Sequence, residues 1–477
     1  MVLGDYIKDK LIANLKFEPT TCQLELFEAL SDYFSGTLTT DILVVNGYAG
    51  TGKTSAIGAF VALLKEYKHK FVLLAPTGRA AKVLSSHSSG RAYTVHKKIY
   101  REKDSDGGYS KFVLDFNKEK DTFYIVDEAS LITNNTQGGG SVQFGSGDLL
   151  EDLIRYVRQG QSNKLILLGD DAQLPPIGLE KSPALDLNYL GYYGDIKYVR
   201  MTSVVRQALD SGILYNATNI RRLINKLEQN LELDYLGPLP NIDVKFPDIF
   251  SINGGELIES LESAYSKFGA DDVAVLCRSN KRANRYNEGI RGTILFKEEK
   301  VSRGDKLMIV KNCYQFMGDV EDLDFIANGD VGELVKISKF EERYGLNFAE
   351  AIIRFSDYDD IEITAKVVLD TLSSESASLS RDQYDALYRG VFEDYKHIKD
   401  RKKRNAAIKE DPFFNALQIK YASAITCHKS QGGQWGAVFI DTPFWKEEVT
   451  IDDLKWLYTA LTRAVSRVYL VNYKNVQ

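Results

Sequence analysis

Gly47-Tyr48-Ala49-Gly50-Thr51-Gly52-Lys53-Thr54 has the residue types and spacing of a loop that wraps a polyphosphate. Glycines let consecutive backbone N–H groups turn inward, and a helix N-terminus behind them adds a favourable dipole. In such a loop Lys53 reaches the β- and γ-phosphates, Thr54 ligates Mg²⁺, and Gly47, Ala49, Gly50, Thr51, Gly52 and Ser55 complete the cradle. Asp127-Glu128 closes the apolar run Thr122 to Val126. A strand ending in two acids downstream of a phosphate loop places the first acid on Mg²⁺ and the second on the attacking water. Gln173, in Gly169-Asp170-Asp171-Ala172-Gln173-Leu174-Pro175-Pro176, stands where it can sense a γ-phosphate. Gln23 lies in the first turn of a helix begun by Pro19 and Thr20, and its amide can pair with both donor and acceptor on an adenine edge.

These groups need a scaffold that delivers them to one place. Ile42 to Val45, Phe71 to Ala75, Thr122 to Val126 and Lys164 to Leu168 are short apolar runs, each followed by a polar loop. Repeated units of this kind predict a parallel sheet with its ligand-binding loops on the carboxyl edge. Pro76-Thr77-Gly78-Arg79 leaves the second run with a hydroxyl and a cation suited to a phosphodiester backbone. Tyr93 to Lys98 adds a hydroxyl, an imidazole and two lysines. Taken alone, both stretches also have the composition of a solvated surface.

Tyr100 to Phe116, with Asp106-Gly107-Gly108 as its turn and Phe112, Leu114 and Phe116 alternating, predicts a β-hairpin inserted into this unit. The Gly-, Ser- and Asn-rich stretch Asn134 to Gly147 carries no functional signal. A second α/β pattern begins at Val273 to Asn280. Alternating segments from Gly329 to Ala365 predict a small β-barrel. Tyr384, Leu387, Tyr388, Val391, Phe392, Tyr395 and Ile398 make one apolar stripe on a charged helical arm. Near the end, Arg463 is spaced to leave the helix face that carries Leu457 and Leu461.

At 477 residues the chain exceeds one core, and 44% hydrophobic with 26% charged residues is ordinary for a globular protein. No apolar run reaches membrane-spanning length and the first residues lack a signal peptide's apolar core, so a cytoplasmic location without membrane contact is expected. Cys22, Cys277, Cys313 and Cys427 are scattered, which predicts core residues rather than a zinc site or disulfides. With a net charge of −6, a nucleic acid would have to be held by a local basic groove.

Together these stretches resemble the superfamily 1 helicases of the RecD-like branch, with a layout closest to the Dda-type helicase of phage. The motifs that match, in order, are Gln23, Gly47 to Thr54, Ala75 to Lys82, Thr94 with His96, Asp127-Glu128, Gly169 to Pro175, Val204 to Gln207, Thr426 to Gly433 and Tyr458 to Ala464. The resemblance implies an α/β chain with two RecA-like motor domains. The first spans residues 1–96 and 121–205 and carries a hairpin pin at 97–120. The second spans 206–328 and 412–477 and carries an SH3-like barrel with a helical tower at 329–411. It further implies that Arg206 and Arg463 are arginine fingers, that Gly432 belongs to the nucleotide site, and that Lys53, Asp127, Glu128 and Gln173 are catalytic. Pro76, Thr77, Thr94, His96, Asn280, Thr426, His428 and Ser430 would contact the strand, and of the hairpin's Tyr109 and Phe112 the second, by its position, would be the aromatic of the pin, braced by the helical arm. The implied activity is ATP- and Mg²⁺-dependent movement 5′ to 3′ on single-stranded DNA by a monomer, with unwinding at single-strand/duplex junctions. No residue decides between DNA and RNA. A nucleotide-gated binding module without turnover would not need the intact set Lys53, Asp127, Glu128, Arg206 and Arg463.

Overall fold

The computed structural model describes residues 3–15, 17–88, 90–103, 111–134, 143–205, 210–229, 237, 239–313, 316, 326–442 and 448–473. The apolar runs of the first half form one six-stranded parallel sheet. Its order is Ala92–Thr94, Lys70–Ala75, Thr122–Val126, Lys164–Gly169, Ile42–Gly47, Ile196–Met201. Ile42–Gly47 and Thr122–Val126 are buried along their whole length, as expected of strands covered on both faces. The helices Thr21–Ser35 and Lys53–Glu66 pack on one face through Leu26, Phe27, Leu30, Phe60 and Leu64, and Leu149–Gln159 covers the other. The phosphate loop, Asp127 and Gln173 all leave the same edge of this sheet.

A second parallel sheet has five strands in the order Ile249–Ile252, Ala464–Val471, Trp435–Asp441, Val273–Cys277, Ala424–Thr426. The helix Ile451–Leu461 lies between the two sheets. It is fully buried from Asp453 to Leu461 and packs on the helix Gly212–Gln229.

The expected barrel is closed by five strands: Lys306–Ile309, Val331–Arg343, Leu346–Phe355, Ile361–Val368 and Leu417–Tyr421. It therefore reaches beyond the 329–411 boundary at both ends. Its first and last strands pair with each other, so the chain enters and leaves at one point. The helical arm, Arg381–Asp394, does not extend freely. Leu387 and Val391 pack with Phe348 and Phe413, Asp394 pairs with Arg343 (2.8 Å), and Gly390 leaves room for the Tyr344 ring. Its described partners belong to the barrel side, and the expected brace on the hairpin is absent among the described residues.

The hairpin strands Tyr100–Lys103 and Lys111–Leu114 are present, while the turn Asp106-Gly107-Gly108 and Tyr109 lie outside the described residues. A third strand, Gln143–Phe144, joins them in parallel to Lys111-Phe112. The stretch Asn134 to Gly147 thus contributes to the hairpin, although residues 135–142 are outside the described set. The alternation expected through Phe116 stops at Leu114, where the strand ends, and Phe116 is 63% exposed.

Where the barrel meets the first sheet unit, Asp330 is buried against the start of the helix Gly78–Ser88. A side chain at Gly78 would sit 2.6 Å from Asp330 Oδ1. Asp330 accepts from the Tyr358 hydroxyl (2.6 Å) and the Ala327 N–H (2.7 Å), yet burial still pushes its carboxyl up to about 7. Since an unfolded aspartate ionises near 4, unfolding releases a proton between those values, and raising the pH there favours the unfolded state. Thermal melts of the wild type should therefore lose stability from about pH 4 to about pH 7. Asp330→Asn should flatten that slope, and an unchanged slope would show that this carboxyl does not set it.

Candidate active site

The cradle is built from backbone. Gly50 (φ +76°) and Gly52 (φ +77°) occupy the left-handed region that side chains avoid, which turns the loop before the helix Lys53–Glu66 begins. Lys53 lies along the loop, its Nζ donating to the carbonyls of Gly47 and Tyr48. A side chain at Gly47 would crowd Lys53 Cδ at 2.9 Å. Thr54 and Ser55 occupy the first helical turn, beside Gly52. A tight turn at a helix N-terminus, a lysine and a first-turn hydroxyl fit a Mg²⁺-bound nucleoside triphosphate, although the Ala49 N–H is taken by the Tyr458 hydroxyl and the Thr51 N–H by the Tyr48 carbonyl. Thr54 and Asp127 would hold the ion, and the ion would supply charge neutralisation on the phosphates.

Asp127 follows its strand directly and accepts from the Glu128 N–H (2.8 Å). Burial, then the Glu128 charge beside it, raises its carboxyl to about 6, opposed by that hydrogen bond and by Lys53. Glu128 adopts φ +52°, an uncommon conformation for a non-glycine residue, which aims its side chain across the cleft. There Arg463 meets it, NH1 to Oε1 at 3.8 Å. Arg463 is buried and held by the carbonyls of Thr459 (3.2 Å) and Gly433 (3.3 Å), so its guanidinium is fixed by the second unit and offered to the first. Arg206, the other expected finger, lies outside the described residues.

Other bonds tie the same cleft. The Tyr458 hydroxyl accepts from the Ala49 N–H in the phosphate loop (2.9 Å) and donates to Asp170 Oδ2 (2.7 Å). The Leu174 N–H donates to Thr459 Oγ1 (2.8 Å), and Gln431 Nε2 donates to the Leu174 carbonyl (2.7 Å). Sequence reading assigned no role to Tyr458, Thr459 or Asp170. The available signal was a pair of polar residues inside the apolar helix Ile451–Leu461, because buried polar groups must find partners.

Gln173 sits beside Asp170, buried, with its side-chain oxygen unpartnered. Gln23 departs from expectation. It is fully buried, its Oε1 accepts from the Thr20 N–H (2.9 Å) and its Nε2 donates to the Thr51 carbonyl (3.3 Å). It thus caps its helix and props the phosphate loop, and no edge of the amide faces outward to an adenine in this conformation. Gly432 is also displaced from its expected place. It lies against Thr77 and Ala80, where a side chain would come within 2.9 Å of both.

The expected strand contacts divide into two groups. Pro76 and Thr77 lie where the units meet, against Gly432, with Arg79 stacked on Trp435 (3.7 Å) and donating to the Gln434 carbonyl (3.3 Å). Asn280, Thr426 and Lys429 line a shared shallow depression, and His428 is half-buried beside it. Thr77 and Thr94 spend one acceptor position each on capping a helix, through Ala80 N–H and Lys97 N–H (both 3.2 Å). Ser430 does not present its hydroxyl: it is fully buried and donates to the Cys427 carbonyl (2.7 Å). Burial lowers His96 to about 4, so this ring is a neutral hydrogen-bonding group, packed near Tyr100 and edge-on to Phe144.

Phe112 is the clearest correction. It is 7% exposed and stacks on Phe144 with centroids 4.8 Å apart, inside the core that also contains Tyr100 and Ile99. A ring packed there is not offered to a base pair. Phe112→Ala should destabilise the protein by about 3 kcal/mol, the scale for emptying a buried aromatic site. Thermal unfolding would register this together with a parallel fall in all activities. A selective loss of unwinding at unchanged stability would restore the wedge role.

Residues 34–230 match a family model described as an AAA domain, and residues 421–471 one described as a UvrD-like helicase C-terminal domain. An uncharacterised protein of Methanocaldococcus jannaschii is 24% identical across 98% of this chain and 40% of its own length. The ATP-dependent RecD2 DNA helicase of Deinococcus radiodurans is 28% identical across 37% of this chain and 21% of its own length. The chain thus spans less than half the length of the curated relatives it matches. Among solved structures, Pif1 helicase from Bacteroides in complex with ADP-AlF3 and ssDNA is similar at a TM-score of 0.46 and 16% identity, covering 96% of this chain and 93% of that one. Pif1 helicase from Candida albicans is similar at 0.39 and 15%, covering 96% and 95%. The nucleotide cleft built from Lys53, Asp127 and Glu128 therefore falls inside the AAA-domain match, and Arg463, which faces it, inside the helicase C-terminal match.

Proposed function

We propose that this protein is a superfamily 1 DNA helicase of the RecD-like, Dda-type branch. It would couple hydrolysis of Mg·ATP to 5′-to-3′ movement on single-stranded DNA and to opening of duplex at a junction. The observation that carries this reading is the 3.8 Å approach of Arg463, from the second sheet unit, to Glu128, from the first. A site whose catalytic acid and cation come from two separate units turns over only when the units close on each other, so hydrolysis and relative motion are linked. Thr77, the expected strand contact, packs against Gly432 across the same interface, where that motion would be felt by a bound strand. The relative whose name includes a DNA helicase activity supports DNA as the track, and the helicase C-terminal match over 421–471 supports the helicase reading.

A strand-displacement assay with 5′- and 3′-tailed duplexes, each built with a DNA or an RNA loading strand, tests the proposal. Unwinding confined to the 5′-tailed DNA substrate and dependent on ATP and Mg²⁺ is expected. Unwinding from the 3′ tail, or ATP turnover that no single strand stimulates, would overturn it.

A further inference from the structure

The chain is acidic as a whole, with a net charge of −6, yet Tyr395 to Lys409 holds seven lysines and arginines against one acid, Asp400. This stretch forms the outer end of the helical arm. Its helix Arg401–Glu410 is fastened along one side: Ile408 shares a core with Val391 and Phe413, and the Arg404 guanidinium lies 4.8 Å from the centre of the Phe392 ring. That leaves Lys399, Arg401, Lys402 and Lys403 exposed together.

The acids around this cluster are already committed. Asp400 accepts from the Lys403 N–H (3.0 Å), Glu393 pairs with Lys396 (3.1 Å), Asp394 pairs with Arg343 (2.8 Å), and Asp411 accepts from the Tyr395 hydroxyl (3.2 Å). Glu410 stands at the far end of its helix. Lys399, Arg401 and Lys403 make no ion pair among the described residues. Nothing in the fold rewards their placement. The N-terminal end of a helix carries partial positive charge and favours acids, but the first turn here, Arg401-Lys402-Lys403, holds none. A face kept only for solubility mixes both signs. Cations gathered against both tendencies form the complement of a polyanion.

Two features select the polyanion. The rings of the arm are turned inward, Tyr384 and Tyr388 against Phe414 and Phe392 beneath Arg404, so the arm's described residues offer no exposed ring for a base to stack on. Single-strand sites combine cations with such rings, whereas a duplex turns its phosphates outward, one charge per about 1.7 Å of axis. The cluster is also remote from the expected strand contacts. The barrel strand Leu346–Phe355 begins in the core shared with the arm and ends beside Ser356–Tyr358, where Asp357 pairs with Lys82 (2.6 Å) on the helix that follows Thr77. Its 10 residues put about 30 Å of strand between those two ends. We propose that Lys399, Arg401, Lys402 and Lys403 hold the phosphates of double-stranded DNA, at a surface separate from the single-strand contacts. That this duplex lies ahead of a junction rests on the function proposed above; the surface itself rests on its own charges.

The test is fluorescence anisotropy of a labelled, blunt-ended DNA duplex titrated with the full chain over a series of salt concentrations. Combining Lys399→Gln, Arg401→Gln, Lys402→Gln and Lys403→Gln should weaken duplex binding on the order of tenfold or more at low salt. The slope of log affinity against log salt should shrink by about 3 to 4, near 0.9 for each phosphate no longer neutralised. Exchanging lysine and arginine at the same four positions should keep the affinity, because a contact to phosphate reads charge and not sequence. Binding of an unpaired oligomer, and its stimulation of ATP turnover, should stay near wild type in the glutamine variant. Its melting temperature should not fall, since the charges removed oppose the helix dipole. A duplex affinity or salt slope unmoved by the four glutamines would overturn the proposal, and so would a fall in melting temperature that accompanies the loss of binding. An equal loss for the unpaired oligomer would also overturn it and place the single strand on the arm. Arm-dependent duplex binding by a chain that opens no tailed duplex would overturn the helicase reading and leave this surface standing.

Discussion

Lys53→Ala should abolish ATP turnover. Phosphoryl transfer requires little covalent help from a protein; positioning and neutralisation of charge on the phosphates supply most of the rate. Lys53 is the one lysine of the cradle, and its Nζ already lies among the loop carbonyls of Gly47 and Tyr48. Removing it also removes the contact that fills the space beside Gly47. The expected result is turnover below about a thousandth of wild type, with the melting curve little changed because Gly50 and Gly52, not Lys53, set the loop's shape. Glu128→Gln provides the matching control. It keeps the side chain's size while removing the charge that Arg463 faces, so nucleotide should still bind and hydrolysis should fail. Phosphate-release assays paired with binding of a fluorescent ATP analogue check both variants. Wild-type turnover in either would mean that the chemistry is done elsewhere.

Arg463→Ala should lower turnover on the order of 10³-fold, with nucleotide affinity altered far less, because an arginine finger acts on charge that develops in the transition state. The geometry sharpens this expectation. Arg463 is anchored by the carbonyls of Thr459 and Gly433, so its guanidinium is held rigidly toward Glu128 and loses little freedom when it acts. Arg463→Lys keeps the charge but cannot hold both carbonyls in a planar fork, and should recover only a small part of the rate. Steady-state kinetics with a separate affinity measurement distinguish the outcomes. A loss of under about tenfold for alanine would mean that this arginine serves the fold and not the reaction.

The parts legible from sequence were those written in consecutive residues. Gly47 to Thr54 and Asp127-Glu128 carry their chemistry and their strand or helix context within a few positions, so local reasoning reached the cradle and the acids. The barrel was visible through its alternation, but its first and last strands, Lys306–Ile309 and Leu417–Tyr421, are short and lie 107 residues apart across the gap between them. What failed was decided by distant partners. Phe112 finds Phe144 across a glycine-rich stretch whose two-residue strand is too short to show a period. Gln23 has the type of a base reader and is spent on Thr20 and Thr51. Gly432 is glycine because Thr77 and Ala80 crowd it from the other unit, a requirement that no local pattern announces.

The order of strands in the two sheets has a consequence for how the chain is made. Every strand of the first sheet has been synthesised once Met201 has left the ribosome, so that unit can fold while the remainder is still being translated. The second sheet has no such option. Its edge strand Ile249–Ile252 pairs with Ala464–Val471, and Trp435–Asp441 needs the same partner, so the strand made last joins those made long before it. Until then Phe250 and Phe439 lack Tyr469, the ring on which both stack. The second half of the nascent chain is therefore the part exposed longest to misassociation, and slow clearance of that hazard, more than the stability of the finished protein, would limit how much of it a cell can accumulate.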